Sequence, residues 1–223
     1  MNKRESLLKY LDGGEAGGPA PAAFFMHFGD AYRAGKAAID RHAEFFRFTG
    51  MDFVKIQFEL SFPKVEVWSP DGFAGIPSLP LAHYEPMLEV VKGVVEQLGS
   101  EALVVLTLYS PFMIAGQMAG NAAVIDGLES DPEPVYAALE RITESLSGFV
   151  HACKALGLDG FYHSTQGGES RRFKGQETFL KWVKPIDMRL MKAIEAEFKF
   201  NILHICDYHA EYGGHDDLTP FLD

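Results

Sequence analysis

"EALVVLTLYSPFMIAGQMAG" (residues 101–120) joins a nearly unbroken apolar run to a segment punctuated by Pro and Gly. The run at 101–109 reads as a strand buried on both faces, which is the habit of strands in parallel sheets. The stretch after it is helical in part, so the pair forms one strand–helix unit. Working outward, the same alternation recurs on both sides. "PAAFFMHF" (21–28) predicts a first strand, preceded by a short amphipathic helix "KRESLLKYL" and the linker "DGGEAGGPAP". "KAAIDRHAEFFRFTG" (36–50) predicts a helix that stops at Gly50, and "DFVKIQFEL" (52–60) a second strand rich in β-branched and aromatic residues. A Pro/Gly-rich excursion follows at 61–80, with "KVEVW" as a short strand inside it.

"YEPMLEVVKGVVEQLG" then sets Met87, Leu88, Val91, Val94, Val95 and Leu98 on one face at helical spacing. "DPEPVYAALERITESLSGFVHACKALG" begins with the N-cap Asp131 and Pro132 at the first helical position, and carries an apolar stripe from Val135 to Cys153. "DGFYHST" (159–165) predicts a strand, "ETFLKWVKPIDMRLMKAIEAEF" a helix kinked at Pro185, and "FNILHICDY" a last strand. Strands alternating with helices give a parallel α/β sheet. Neither G-x-G-x-x-G nor a Walker-type phosphate loop is present, which favours a barrel over a nucleotide-binding open sheet. A whole (β/α)8 barrel takes about 250 residues. The expectation is a single domain over 1–223: an incomplete TIM (β/α)8-type barrel holding about five of the eight βα units.

The composition bounds the function. Across 223 residues, 47% are apolar and 23% charged, and the net charge is −11 with no basic block. Recognition of nucleic acid or anionic lipid through a charged face is therefore not expected. No run of about 18 apolar residues exists, so no membrane span is expected. The only cysteines are Cys153 and Cys206, and "MNKRESLLKYL" lacks a secretory pattern because it is charged from residue 3. A cytoplasmic protein with reduced thiols is the reading.

Barrel chemistry sits at the C-terminal ends of the strands. Those places offer His27, Asp30, Tyr32 and Arg33 after the first strand; Gln57 and Glu59 in the second; and Tyr109, Ser110 and Gln117 after the third. The fourth offers Tyr162, His163, Ser164, Thr165 and Gln166, and the fifth His204, Cys206, Asp207, Tyr208 and His209. His204 and Cys206 share one strand face, about 7 Å apart along the chain. An imidazole and a thiolate suit Zn²⁺, and a catalytic zinc takes three protein ligands, so a third must come from elsewhere. The alternative is a buried cysteine beside an unrelated histidine. Glu59 reads as a general base or as a carboxylate paired with a nearby cation, and His163 as an acid–base group or a satisfied strand histidine. Arg33 reads as a carboxylate binder or a solvated loop residue. "ESRRFKG" reads as a lid over an anionic substrate or a solvated loop, and Cys153 as core.

Taken in order, "FFMHFGDAYR", "TGMDFVKIQFEL", "VLTLYSPFMIAGQMAG", "GLDGFYHSTQGG" and "NILHICDY" resemble the uroporphyrinogen decarboxylase superfamily over almost the whole chain. The strongest landmark is "YSPFMIAGQ", similar to the family's G-x-P-F-T-x-A segment. The resemblance implies a (β/α)8 barrel with its cleft at the strand C-termini, and βα units continuing past Asp223. It also implies one of two chemistries. Tetrapyrrole decarboxylation uses arginines after strand 1 and an aspartate at the end of strand 2. Here His27 stands at the first arginine position, Tyr32–Arg33 near the second, and Glu59 nearest the aspartate. Losing the paired arginines removes bidentate carboxylate contacts.

The other branch comprises cobalamin-linked methyltransferases that resemble this chain in the H-x-C pair. There the resemblance implies that His204 and Cys206, with a later cysteine, bind zinc. The zinc activates a small-molecule thiol that attacks a methyl group on a separate corrinoid protein. The leading expectation is a zinc-dependent, corrinoid-linked methyltransferase-like enzyme. Glu59 and His163 are its catalytic residues, and His27, Arg33, Tyr109, Tyr162 and Gln166 bind its substrate. The alternatives are a uroporphyrinogen decarboxylase or a non-catalytic barrel fragment that self-associates through its open strand edges.

Overall fold

The structure, a computed structural model, describes residues 2–14, 20–206 and 212. Helices α1 (Lys3–Leu11), α2 (Gly35–Thr49), α3 (Glu85–Leu98), α4 (Pro111–Ala119), α5 (Asn121–Ser130), α6 (Pro132–Ala155), α7 (Gln176–Thr178) and α8 (Lys184–Glu197) alternate with four strands. The strands β1 (Val54–Ile56), β2 (Val104–Tyr109), β3 (Gly160–Thr165) and β4 (Ile202–Ile205) pair in chain order, all parallel. This is the expected barrel-type α/β arrangement, seen as an arc of four strands among the described residues.

Register partners in a parallel sheet share a face, and successive residues alternate. Ile56, Leu106 and Phe161 therefore form one outward row, and Leu108, His163 and Leu203 another. The outward residues of β1, β2 and β3 join the main core with Val91 and Val94 of α3, Leu139, Leu146 and Phe149 of α6, and Ile186 and Leu190 of α8. Each such side chain, fully buried, contributes about 1.5–3 kcal/mol of transfer free energy. The periodic stripes read in α3 and α6 are the residues that supply this layer. Glycine matters at the end of α2: Gly50 takes φ +67° and returns its N–H to Phe46 O at 3.0 Å, turning the chain into β1.

The inward face has its own smaller cluster at the N-terminal end of the strands. Leu7 of α1 packs there with Phe53, Leu103, Val105 and Phe200. α1 is held in place by an Asn2–Glu5 capping box and by Arg4, which forks onto Asp159 at 2.8 and 2.7 Å. The short N-terminal helix thus closes the floor of the sheet's interior and leaves the opposite end, where the strands finish, for chemistry.

Three expectations need correction. Residues 20–29 form no ladder: beside the start of the next strand, the Asp52 N–H donates to Ala22 O (2.8 Å) while its carboxylate accepts from Ala22 N–H (2.8 Å). Further along, the Gln57 N–H is claimed by His42 of α2, which accepts through Nε2 at 3.1 Å and donates from Nδ1 to Ala38 O at 2.8 Å. That donor, which a strand on the open side of β1 could have used, is consumed. "KVEVW" is likewise not a strand; its Val65 N–H donates to Met118 O and no ladder follows. Before Pro185 the chain runs through a π-helical stretch, Phe179–Val183, so the expected kink is a change of helical type at the start of α8.

Candidate active site

The sequence V-K-I-Q-F-E at 54–59 places Lys55, Gln57 and Glu59 on alternate positions, all turned inward. Lys55 and Val105 are register partners, Thr107, Tyr162 and Ile202 form the next inward row, and Tyr109, Ser164 and His204 the row above it. The interior therefore changes from apolar at the floor to polar at the strand ends.

At its centre is Gln57. Its Oε1 accepts from Lys55 Nζ and from Thr107 Oγ1 (3.1 Å), and its Nε2 donates to His27 Nε2 (3.2 Å). With Nε2 of His27 accepting, the ring proton lies on Nδ1 and is donated to Glu59 Oε1 at 2.8 Å. Glu59 is nearly buried, while His27 is half exposed. Arg33 Nε stands 3.8 Å from the other Glu59 oxygen, and its far nitrogen meets Asp30 at 2.9 Å. His27, Arg33, Glu59 and Tyr109 line a cleft of about 280 Å³ together with Phe58, Phe62 and Gln117. A carboxylate fixed from one side by an imidazole and from the other by a guanidinium is oriented to accept a proton or hold a donor group.

Lys55 is the least expected member. It is only 6% exposed, and its Nζ lies 3.8 Å from the centre of the Phe25 ring and 4.1 Å from that of Tyr162. Burial pushes its pKa down to about 7, and the Glu59 carboxylate opposes that shift. Tyr162 in turn packs against His204, ring centres 5.0 Å apart and 30° from parallel. Burial first, and then Lys55, hold the His204 imidazole below its usual pKa, so a ring nitrogen lone pair is available.

Cys206 follows β4 and continues its pairing, donating its N–H to Thr165 O at 2.9 Å; its side chain is buried. By alternation it falls on the His204 side of the strand. Among the described residues, no group of three or more His, Cys, Asp or Glu is placed to hold a metal ion. Asp207, Tyr208, His209 and His215 lie outside the described residues.

The structure thus brings His27, Arg33, Glu59 and Tyr109 to one cleft, and Tyr162 and His204 to the adjoining interior. Gln166, half-buried just past β3, is not among the residues lining that cleft. His163 is a correction. It shares its row with Leu108 and Leu203, so it faces the helix layer and not the interior. There it is buried, both ring nitrogens lack a hydrogen-bond partner among the described residues, and burial takes its pKa down to about 4. It borders a cavity of about 380 Å³ lined by Met191, Ile194 and Phe198. A catalytic role does not fit that side of the sheet. "ESRRFKG" is a solvated loop only in part: Ser170, Arg171 and Lys174 are exposed, whereas Arg172 is buried and bonded twice to Glu169, and Lys174 pairs with Glu129 at 2.9 Å. Sequence reasoning missed Lys55, Thr107 and His42. The period-two run Lys55, Gln57, Glu59 in an otherwise apolar strand was the signal for the first.

The uroporphyrinogen decarboxylase (URO-D) family model matches residues 26–215, which include the site residues from His27 to Cys206. The chain belongs to the uroporphyrinogen decarboxylase family. Among solved structures, a methyltransferase from Methanosarcina mazei is similar to this URO-D chain with a TM-score of 0.71 and 14% sequence identity. The match covers 100% of this chain and 72% of that one. At that identity the likeness establishes the shared fold. No curated protein sequence matches the chain. Among the described residues, no helix of this URO-D protein is long and apolar enough to cross a membrane.

Proposed function

We propose that this URO-D family protein is a zinc-dependent, corrinoid-linked methyltransferase-like enzyme that activates a small-molecule thiol for methyl transfer. The observation that carries the reading is the His204–Cys206 pair at the end of β4, beside the polar interior. The donor chemistry fits zinc: an imidazole held below its usual pKa and a thiol two residues on are soft ligands of the right kind. They supply two of the three protein ligands that a catalytic zinc takes. When bound there, zinc would lower the pKa of a coordinated thiol and hold it as a nucleophile.

The rest of the site acts through the chain's own groups. Glu59, fixed by His27 Nδ1–H and flanked by Arg33, is the proton acceptor facing the cleft. Gln57 sets the His27 tautomer by donating to Nε2. Tyr162 backs the His204 ring and holds it at one orientation. Phe25 and Tyr162 shield the interior from water on the side of Lys55. The methyl group would arrive on a corrinoid carried by a separate protein.

The test is metal content. Purified protein should hold zinc, and both Cys206→Ser and His204→Ala should lower the bound amount severalfold when measured by mass spectrometry of the metal. Unchanged zinc in both variants would refute the assignment. Metal-independent turnover of a porphyrinogen would favour decarboxylation in its place.

A further inference from the structure

We propose that the Lys55 ammonium is the anchor for a compact oxyanion group, of the carboxylate class, on the substrate. This deepens the reading of the inward face as the substrate site and rests on it.

Lysine is almost never buried without a partner. Lys55 is buried in the middle of the inward face, yet its ion-pairing needs are met by nothing close. Among the described residues it forms no salt bridge. Glu59 acts on it from a distance and is already engaged by His27 and Arg33. An ammonium has three N–H donors. The oxygen that holds it is Gln57 Oε1, which is shared with Thr107. The remaining contacts are the faces of Phe25 and Tyr162, which stabilise a cation but accept little from its N–H bonds. The result is a positioned, desolvated amine with unused donors, which is an ammonium below about pH 7 and is drawn to that form by an entering anion.

Its surroundings select an anion of small size. Arg33 and His27 are already taken up by Asp30 and Glu59, so among the described residues Lys55 is the interior cation left without a carboxylate in contact. A low-dielectric wall on one side strengthens the attraction to an incoming anion. The way in is marked by Phe24, Phe25 and Met26, which are 59%, 45% and 46% exposed on a segment with no ladder to hold it against the sheet. A carboxylate entering past Phe25 would replace the ring as the partner of Nζ. It would be bound by charge-assisted hydrogen bonds of the stronger kind.

The experiment is a titration of the ¹⁵N-labelled protein with sodium acetate at pH 6 and constant ionic strength, where Lys55 is an ammonium, followed by amide and Lys Nζ-adjacent resonances, with inorganic phosphate as a second probe. The expected result is saturable shifts at Lys55, Tyr162 and His204, with acetate binding at least tenfold weaker in Lys55→Met. The same saturable shifts in unmodified protein stripped of metal by a chelator separate this proposal from the metal reading. Equal acetate binding in Lys55→Met would overturn the proposal. So would non-saturable shifts, or shifts confined to surface cations, in the unmodified protein; this readout needs no variant to fold.

Discussion

Replacing Lys55 by Met should make the protein more stable near neutral pH and remove a specific pH dependence. In the fold, burial lowers the Lys55 pKa from 10.5 to about 7. That difference corresponds to roughly 5 kcal/mol between the protonated and neutral forms, an upper figure because local relaxation reduces it; about 2–4 kcal/mol is the range to expect. The sign is fixed by proton counting. Between pH 7 and 10.5 the unfolded chain carries the Lys55 proton and the folded chain does not, so stability rises with pH through that window. Below pH 7 both states are protonated and the whole penalty is felt. Met keeps the stem and the contacts with Phe25 and Tyr162 and carries no charge. Urea unfolding followed by circular dichroism at pH 7.5 and 9.5 should show the natural protein gaining about 1–3 kcal/mol more than Lys55→Met over that interval. Parallel profiles for the two proteins would refute the claim that Lys55 is held desolvated.

Other perturbations test other parts of the account. Asp187 is buried, accepts from Thr165, and has its pKa raised to about 7, mainly by burial. Stability from this group falls as pH rises from 3.8 to 7, so Asp187→Asn should add about 2 kcal/mol at pH 7.5 and little at pH 4, read by denaturant titration. His163→Phe should leave zinc content unchanged. Because the buried imidazole must stay neutral down to about pH 4, the variant should gain stability over the natural protein as pH falls from 6.5 to 4. Loss of zinc in that variant would contradict its placement on the helix side. Leu7→Ala should cost about 2–4 kcal/mol by thermal or urea unfolding, since Leu7 fills the floor cluster with Phe53, Leu103 and Phe200.

The parallel α/β architecture was legible because β2 and the stripes of α3 and α6 report burial directly: a strand covered on both faces cannot alternate, and a helix on a sheet must. What failed depended on partners that a sequence does not name. "PAAFFMHF" has the composition of a strand, but a ladder needs donors on its neighbour, and His42 takes the Gln57 N–H. His163 was placed at the site because it lies near a strand end. One residue of phase decides the face, and the register with Leu108 and Leu203 puts it outside. Glu59, His27 and Arg33 do meet in one cleft, although the segment that carries His27 is not a strand. Lys55 was overlooked because a lone lysine in an apolar strand resembles a solvated edge residue until its neighbours on both sides are known to be aromatic rings.

The central claim is that the inward end of β4 holds a zinc through His204 and Cys206. Zinc K-edge X-ray absorption on the purified protein tests it most directly. The account predicts a mixed shell with sulfur near 2.3 Å and nitrogen near 2.1 Å, the sulfur component falling in Cys206→Ser and rising when a small thiol is added. A shell of nitrogen and oxygen alone, indifferent to both changes, would contradict it.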